Sequence, residues 1–256
     1  MALLNRRVIP VLLLRNGGLV KTRKFKKASY IGDPINAVRI FNEKEVDELI
    51  LLDIDATRQR REPNYELIEE IVGEAFIPIS YGGGITSVCQ AQQLVRLGVE
   101  KVIINSAALD DYNLISKISD CLGVSSTVVA VDIKCDWFGR YRVYSHARIA
   151  SLPLAFLDHI KAAVLAGAGE LFINDVSRDG LGCGYDLNLI SLASREVVVP
   201  VTICGGAGCL NDFRAAALAG AAGIAAGSIF VYVGKHRAVM INYPGYEKLQ
   251  SVIDIE

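Results

Sequence analysis

The chain has 256 residues, 52% of them hydrophobic, with a formal net charge of −1. That is enough apolar material for a large core, and the balanced charge removes the electrostatic case for nucleic-acid binding. The sequence contains neither an apolar run of about 18 residues nor a basic–apolar–small leader pattern, so a cytoplasmic protein without membrane contact is expected.

Strand one is expected over Val8–Leu14, behind Arg6-Arg7. The basic stretch Lys21–Lys27 follows, with five cations in seven residues; it reads either as a solvated surface loop or as a flap over an anionic substrate, with Lys21 as its substrate-loop residue. Asp33-Pro34 has the cap-then-proline signature of a helix start, and that helix should run to about Lys44. Strand two, Glu48–Asp55, has the continuous apolar centre of a strand buried on both faces. A helix over Pro63–Glu74, a strand over Phe76–Ser80, a helix over Val88–Leu97 and a strand over Lys101–Ile104 come next.

Strand five is Thr127–Asp132, followed by a polar aromatic excursion to about Ser151 and a helix over Pro153–Leu165. Glu170–Asp175 is strand six, and the segment from Val199 to Phe230 holds strands seven and eight with an Ala-rich helix between them. Eight strand–helix alternations without a linker-like break predict an α/β fold: one (β/α)8 TIM-barrel domain over residues 1–256, with function at the C-terminal strand ends.

Two glycine clusters stand at strand ends, Gly82-Gly83-Gly84 and Gly205-Gly206. Gly83 lies 23 residues before Ser106, and Gly206 lies 22 before Ser228. One such cluster is an ordinary turn; two at nearly equal offsets argue for a duplicated half-barrel with two anion sites, where bare backbone N–H groups approach a phosphate.

Charged residues on barrel strands need partners. Arg7, Glu48, Lys101 and Glu170 open strands one, two, four and six, so they should meet at the N-terminal face, either as a salt-bridged plug or as a gate on the barrel axis. Asp132 ends strand five and Asp179 follows strand six; both face the opposite mouth, where paired carboxylates could do acid–base work or merely cap loops. Asp53 and Asp175 occupy matched positions and read as structural hydrogen-bonding residues. The six cysteines form no CxxC pair and the histidines His146, His159 and His236 are scattered, so buried thiols in a reducing compartment, no metal and no cofactor are expected. His146 reads as a loop residue near the mouth.

The motifs RVIPVLL (7–13), GDP (32–34), DELILLDID (47–55), YGGGI (81–85), KVIINSAAL (101–109), VVAVDIK (128–134), GAGELFINDVSRDG (167–180), GYD (184–186), CGGAG (204–208) and AAGSIF (225–230) occur in one order. On these the chain resembles the cyclase subunit of imidazole glycerol phosphate synthase (HisF-like) over essentially its whole length. The resemblance implies one phosphate at Gly83, Gly84 and Ser106, with Asn105 adjacent. It implies the other at Gly180, Gly206, Gly227 and Ser228. It further implies a HisH-like glutaminase docked at the N-terminal face, with ammonia passing the Arg7–Glu48–Lys101–Glu170 gate.

The family uses an aspartate at the end of strand one and another at the end of strand five. The second is Asp132; the first falls on Leu13, which cannot transfer a proton. Leu13-Leu14, FNEKEVDELILLDIDATR (41–58) and the tail from Gly234 to Pro244 are similar to paralogues that accompany acetamidino modification of surface sugars, such as those of lipopolysaccharide O-antigen. That likeness implies ammonia delivery to an ATP-dependent sugar amidotransferase. The alternatives are an active cyclase–lyase of histidine biosynthesis using Asp132 with Asp179, and a non-catalytic scaffold that activates a glutaminase.

Overall fold

The runs of Val, Ile and Leu form eight parallel strands, each too apolar on both faces to meet water. They are β1 (Arg7–Arg15), β2 (Leu49–Asp53), β3 (Ile79–Gly82), β4 (Lys101–Ile104), β5 (Thr127–Cys135), β6 (Glu170–Asp175), β7 (Val201–Cys204) and β8 (Gly223–Ala226). Each strand pairs in parallel with the next, and β8 pairs with β1 to close the barrel. The (β/α)8 barrel expected from the sequence is the fold. The computed structural model describes residues 6–253, so the outermost ends of the expected 1–256 domain lie outside the described residues.

Helices α1 (Pro34–Glu43), α2 (Tyr65–Gly73), α3 (Val88–Arg96), α4 (Tyr112–Leu122), α5 (Phe156–Leu165), α6 (Leu187–Glu196), α7 (Leu210–Leu218) and α8 (Tyr246–Ile253) follow the strands in turn. Asp33 caps α1 by accepting from the Asn36 N–H, with Pro34 at the first position, as its sequence signature predicts. One buried cluster fills the space between strands and helices, and a second fills the barrel interior with Ile9, Val11, Ile50, Ile103, Val128 and Phe172 among its members. The chain returns from the last strand to the first: the Tyr243 hydroxyl donates to the Val8 carbonyl at 2.9 Å.

Several expectations are corrected. The basic stretch is no loop: Gly18–Arg23 and Lys26–Gly32 form an antiparallel hairpin that extends β1 through Leu13–Val20 pairing. Lys21 and Thr22 are buried, while Arg23, Lys24, Lys26 and Lys27 are exposed as a surface segment would be. The excursion after β5 is likewise built of strands, Tyr141–Ser145 and Ala150–Ala155, with the fully exposed Trp137 at its first turn. Pro153 therefore lies in an edge strand, where its missing N–H is harmless, and α5 starts at Phe156. Strand β3 begins only after Pro78, which lacks an N–H for a ladder paired on both sides, and this leaves Phe76 exposed; α2 begins at Tyr65 behind an Asn64 cap. The thiols are free, yet only Cys204 is buried, while Cys89 and Cys121 are exposed on helices, Cys135 at the end of β5, and Cys183 and Cys209 in loops.

Candidate functional site at the two ends of the barrel axis

The four charged residues that open β1, β2, β4 and β6 converge on the axis at the barrel floor. Arg7 donates to Glu48 and, at 2.8 Å, to Glu170; Lys101 donates to both carboxylates at 3.0 Å. Two hydroxyls complete the ring, Ser80 on Glu48 at 2.6 Å and Thr202 on Glu170 at 2.5 Å. Burial alone would push the Glu170 carboxyl up, but Arg7 and Lys101 outweigh it and hold Glu170 below the usual carboxylate range. Every charge has an opposite neighbour, which makes burial tolerable here.

Above this ring an apolar collar leads to the mouth, where the two halves repeat. Gly83 (φ +127°) and Gly205 (φ +97°) each turn the chain where a Cβ would strike the backbone oxygen of the preceding strand's aspartate, Asp53 or Asp175. Asp53 precedes Gly83 by 30 residues and Asp175 precedes Gly205 by 30; Ser106 and Ser228 each follow by 23. The structural partner of Gly83 is thus Gly205, one residue earlier than the sequence offset through Gly206 implied. Asp53 accepts the Asp55 and Ala56 N–H groups and Asp175 accepts that of Ser177, which gives both aspartates a turn-holding role.

The first cradle opens onto a cavity of about 140 Å³ lined by Gly83, Gly84, Asn105, Ser106, Asp132 and His146, among others. Asp132 accepts from the Asn105 amide at 2.9 Å. Burial, with Asp179 adding a like charge, raises its carboxyl to about 7 against the lowering effect of that amide. A carboxyl so placed exchanges protons near neutrality, which suits acid–base work.

The second cradle, with Gly180, Gly206, Gly227 and Ser228, surrounds a space of only about 40 Å³. Lys21 lies inside it: its ammonium donates to the Val11 carbonyl and abuts Gly227. Burial lowers Lys21 to about 8, with Cys204 and Asp179 acting the other way. Asp179 also lines this space; its carboxylate accepts from the Thr22 hydroxyl at 2.8 Å and the Phe25 N–H at 3.2 Å. Burial raises the Asp179 carboxyl against those two hydrogen bonds and the Lys21 charge.

Leu13 points into the barrel top and, with Leu52, Phe25 and Asn174, lines both cavities, so these four residues form the wall between them. The hairpin that carries Phe25 is folded over the mouth. Its ring meets His146 edge-on at 5.4 Å and Tyr144 at 6.4 Å, and the Lys24 N–H bonds the Asp179 carbonyl at 3.0 Å. Asp132 and Asp179 therefore share the mouth but belong to different cavities.

Sequence reasoning missed Thr22, Phe25, Arg58 and Asn174. Asn174 could have been found, because it continues the inward alternation Glu170, Phe172, Asn174 at a position where an apolar residue is the default. Phe25 and Thr22 had no signal, because their importance comes from a hairpin fold-back.

A sequence profile described as histidine biosynthesis protein matches residues 7–237. The chain belongs to this family. Among family members, a Pseudomonas aeruginosa (strain PAO1) protein provisionally named imidazole glycerol phosphate synthase subunit hisF2 is 50% identical, over 96% of this chain and 99% of its own length. A Leptospira interrogans protein, provisionally named the HisF subunit of the same synthase, is 45% identical over 98% and 99%. The HisF subunit of Petrotoga mobilis is 37% identical over 90% and 92%. This member of the histidine biosynthesis family is thus a HisF-like subunit of the imidazole glycerol phosphate synthase type. Among its described residues no helix is long and apolar enough to cross a membrane, and no three His, Cys, Asp or Glu side chains are grouped to hold a metal.

Proposed function

We propose that this barrel conducts ammonia from a glutaminase partner to an ATP-dependent amidotransferase that converts an N-acetyl group on a surface sugar to an acetamidino group. The carrying observation is a contrast within one axis. The Arg7–Glu48–Lys101–Glu170 ring is complete at the floor, while the mouth position that the family fills with a carboxylate holds Leu13. A conduit needs the ring and the collar; ring closure of a ribulosyl intermediate needs the second proton carrier as well.

The floor is a fitting landing place for the glutaminase. Phe76, Val124 and Val198 precede β3, β5 and β7, Leu165 and Leu218 end α5 and α7, and all five are exposed apolar residues around the charged ring. The test is reconstitution with a glutaminase, a sugar amidotransferase and glutamine labelled with ¹⁵N at the amide. Label should reach the sugar only with this chain present, and Lys101→Met or Glu48→Gln should reduce transfer while added ammonium salt restores it. Transfer indifferent to these changes and to omission of the chain would refute the reading, and glutaminase activation by a sealed barrel would point to a scaffold instead.

Asp132 favours a second reading. A buried carboxyl held near 7 beside Asn105 is poised for proton exchange, and with Asp179 it would serve a cyclase–lyase. Imidazole glycerol phosphate formed from the ribulosyl substrate and ammonium at an ordinary rate would establish that reading and displace the first.

A further inference from the structure

The balanced charge of this chain is unevenly placed. Segments 15–32, 134–155 and 227–239 each leave a C-terminal strand end, and each holds an antiparallel hairpin. Together they carry twelve Lys and Arg against one acid, Asp136, while the rest of the chain carries fifteen against twenty-seven Asp and Glu. The three hairpins meet in one ring around the mouth. Phe25 of the first touches Tyr144 and His146 of the second. Burial lowers the Lys134 ammonium on the second hairpin, and the nearby Lys26 charge on the first lowers it further. Gly180 joins the first to the third: a Cβ there would strike the Thr22 carbonyl, and its own carbonyl accepts from Arg237 at 3.3 Å.

Little within the protein compensates this ring. Asp136 pairs with Arg140 and Asp110 with Arg148. Arg23, Lys24, Lys26, Lys27, Lys235 and the cavity-lining Arg58 are exposed and have no ion-pair partner among the described residues. Like charges held side by side repel, and an acidic surface laid against them relieves that repulsion. Apolar groups stand in the same ring. Trp137, Phe138 and Ile149 on the second hairpin and Tyr30 on the first are exposed, where turns are ordinarily polar. Aromatic anchors set among cations are the composition of a protein-binding patch. The barrel axis opens inside the ring, and ammonia that reached bulk water there would take up a proton and cease to be a nucleophile. What covers the ring must therefore consume ammonia, which neither a lipid surface nor a nucleic acid does.

We propose that the three-hairpin ring is the docking face for the ammonia-consuming enzyme, and that this partner presents an acidic surface with an apolar socket for Trp137 and Phe138. The proposal deepens the ammonia reading and rests on it.

Binding of the sugar amidotransferase to the full chain, with its glutaminase in place, tests it by biolayer interferometry alongside ¹⁵N transfer. One amidotransferase per barrel is expected, held less tightly as salt rises from about 50 to about 200 mM. Lys26→Glu/Lys27→Glu should raise the dissociation constant roughly 10²-fold by setting like charges across the contact, and Trp137→Ser roughly 30-fold by removing an anchor. Lys117→Glu/Arg214→Glu makes the same change of net charge on exposed faces of α4 and α7 and should leave binding unaltered. Unaltered melting temperatures show that the variants fold. With Lys26→Glu/Lys27→Glu, glutamine turnover should persist while the label moves from the sugar to free ammonium.

An amidotransferase that ignores the hairpin variants, or that does not bind the barrel, overturns the docking. So does a ring that takes up heparin or phosphatidylglycerol vesicles in preference to the enzyme. Label transfer that needs the chain yet is indifferent to the hairpin variants sinks the docking alone. Hairpin-dependent binding without chain-dependent transfer sinks the ammonia reading alone, so the two fail separately.

Discussion

The floor and the mouth of this barrel both bury charge, and they handle it in opposite ways. At the floor Arg7, Glu48, Lys101 and Glu170 satisfy one another, with Ser80 and Thr202 closing the remaining lone pairs. At the mouth Asp132 keeps one amide donor, Asn174 keeps an unpaired oxygen, and Lys21 is held in a space that drains its basicity. Paired burial gives groups fixed in their charged states; unpaired burial gives groups near their titration points. The first suits a structure that must stay shut or open on a defined trigger, and the second suits a place where protons or ligands arrive.

The sharpest way to break that comparison is to unbalance the floor. Glu170→Gln leaves Arg7 and Lys101 facing Glu48 alone, and it should cost about 3 kcal/mol of stability in urea titration, near the lower end for a broken buried pair because Arg7 is partly exposed. A loss below about 1 kcal/mol would mean that the ring is solvated and that floor and mouth do not differ as described.

The next test alters the mouth. Leu13→Asp places a second carboxyl in the barrel top near Asp132, where like charges cannot both ionise freely. Stability should fall by roughly 2 kcal/mol at pH 8 and by about half that at pH 5, where both carboxyls can hold protons. Thermal melts at the two pH values measure it; an equal loss at both would show that the Asp132 carboxyl is not involved.

The third effect is a gain. The Asp132 carboxyl is raised to about 7 in the fold, against 3.8 when free, so the folded state holds that proton more tightly than the unfolded chain. Stability from this group is therefore greatest below about pH 4 and declines as pH rises towards 7. Asp132→Asn removes the decline while its amide oxygen can still accept from Asn105. In urea titrations the variant should match the parent at pH 4 and exceed it at pH 8 by up to about 4 kcal/mol, since a rise from 3.8 to about 7 weighs about 1.4 kcal/mol for each tenfold in proton affinity.

The barrel was legible because most of its strands are continuous Val, Ile and Leu runs separated by helix-length segments, a pattern that few other folds accommodate. The floor ring was legible too: four charged residues at strand starts have nowhere else to point. The hairpin over the mouth was not, because Lys21 and Thr22 are buried by contacts with Val11 on the neighbouring strand and with Asp179, which is distant in sequence. Four of its five cations are exposed, so the basic run reads as solvated even though tertiary pairing buries Lys21 and Thr22. The same limit applies to Arg58 and Asn174, whose significance comes from a cavity and from the absence of partners, neither of which a linear pattern records. The cysteines erred in the other direction: composition favours buried thiols, but five are exposed, on helix faces, in loops and at the end of β5, where other residues supply the apolar contacts.

The chain has a single tryptophan, Trp137, and the fold puts it wholly in water at the turn of the hairpin beyond β5. With every other indole absent, the protein carries its own optical reporter at one end of the molecule. Its emission should stay nearly constant through thermal melting, since the ring is as wet before as after. It should shift to the blue only when another surface covers that rim, so a consuming enzyme that docks over the mouth would be seen directly, and a glutaminase at the far end would pass unnoticed.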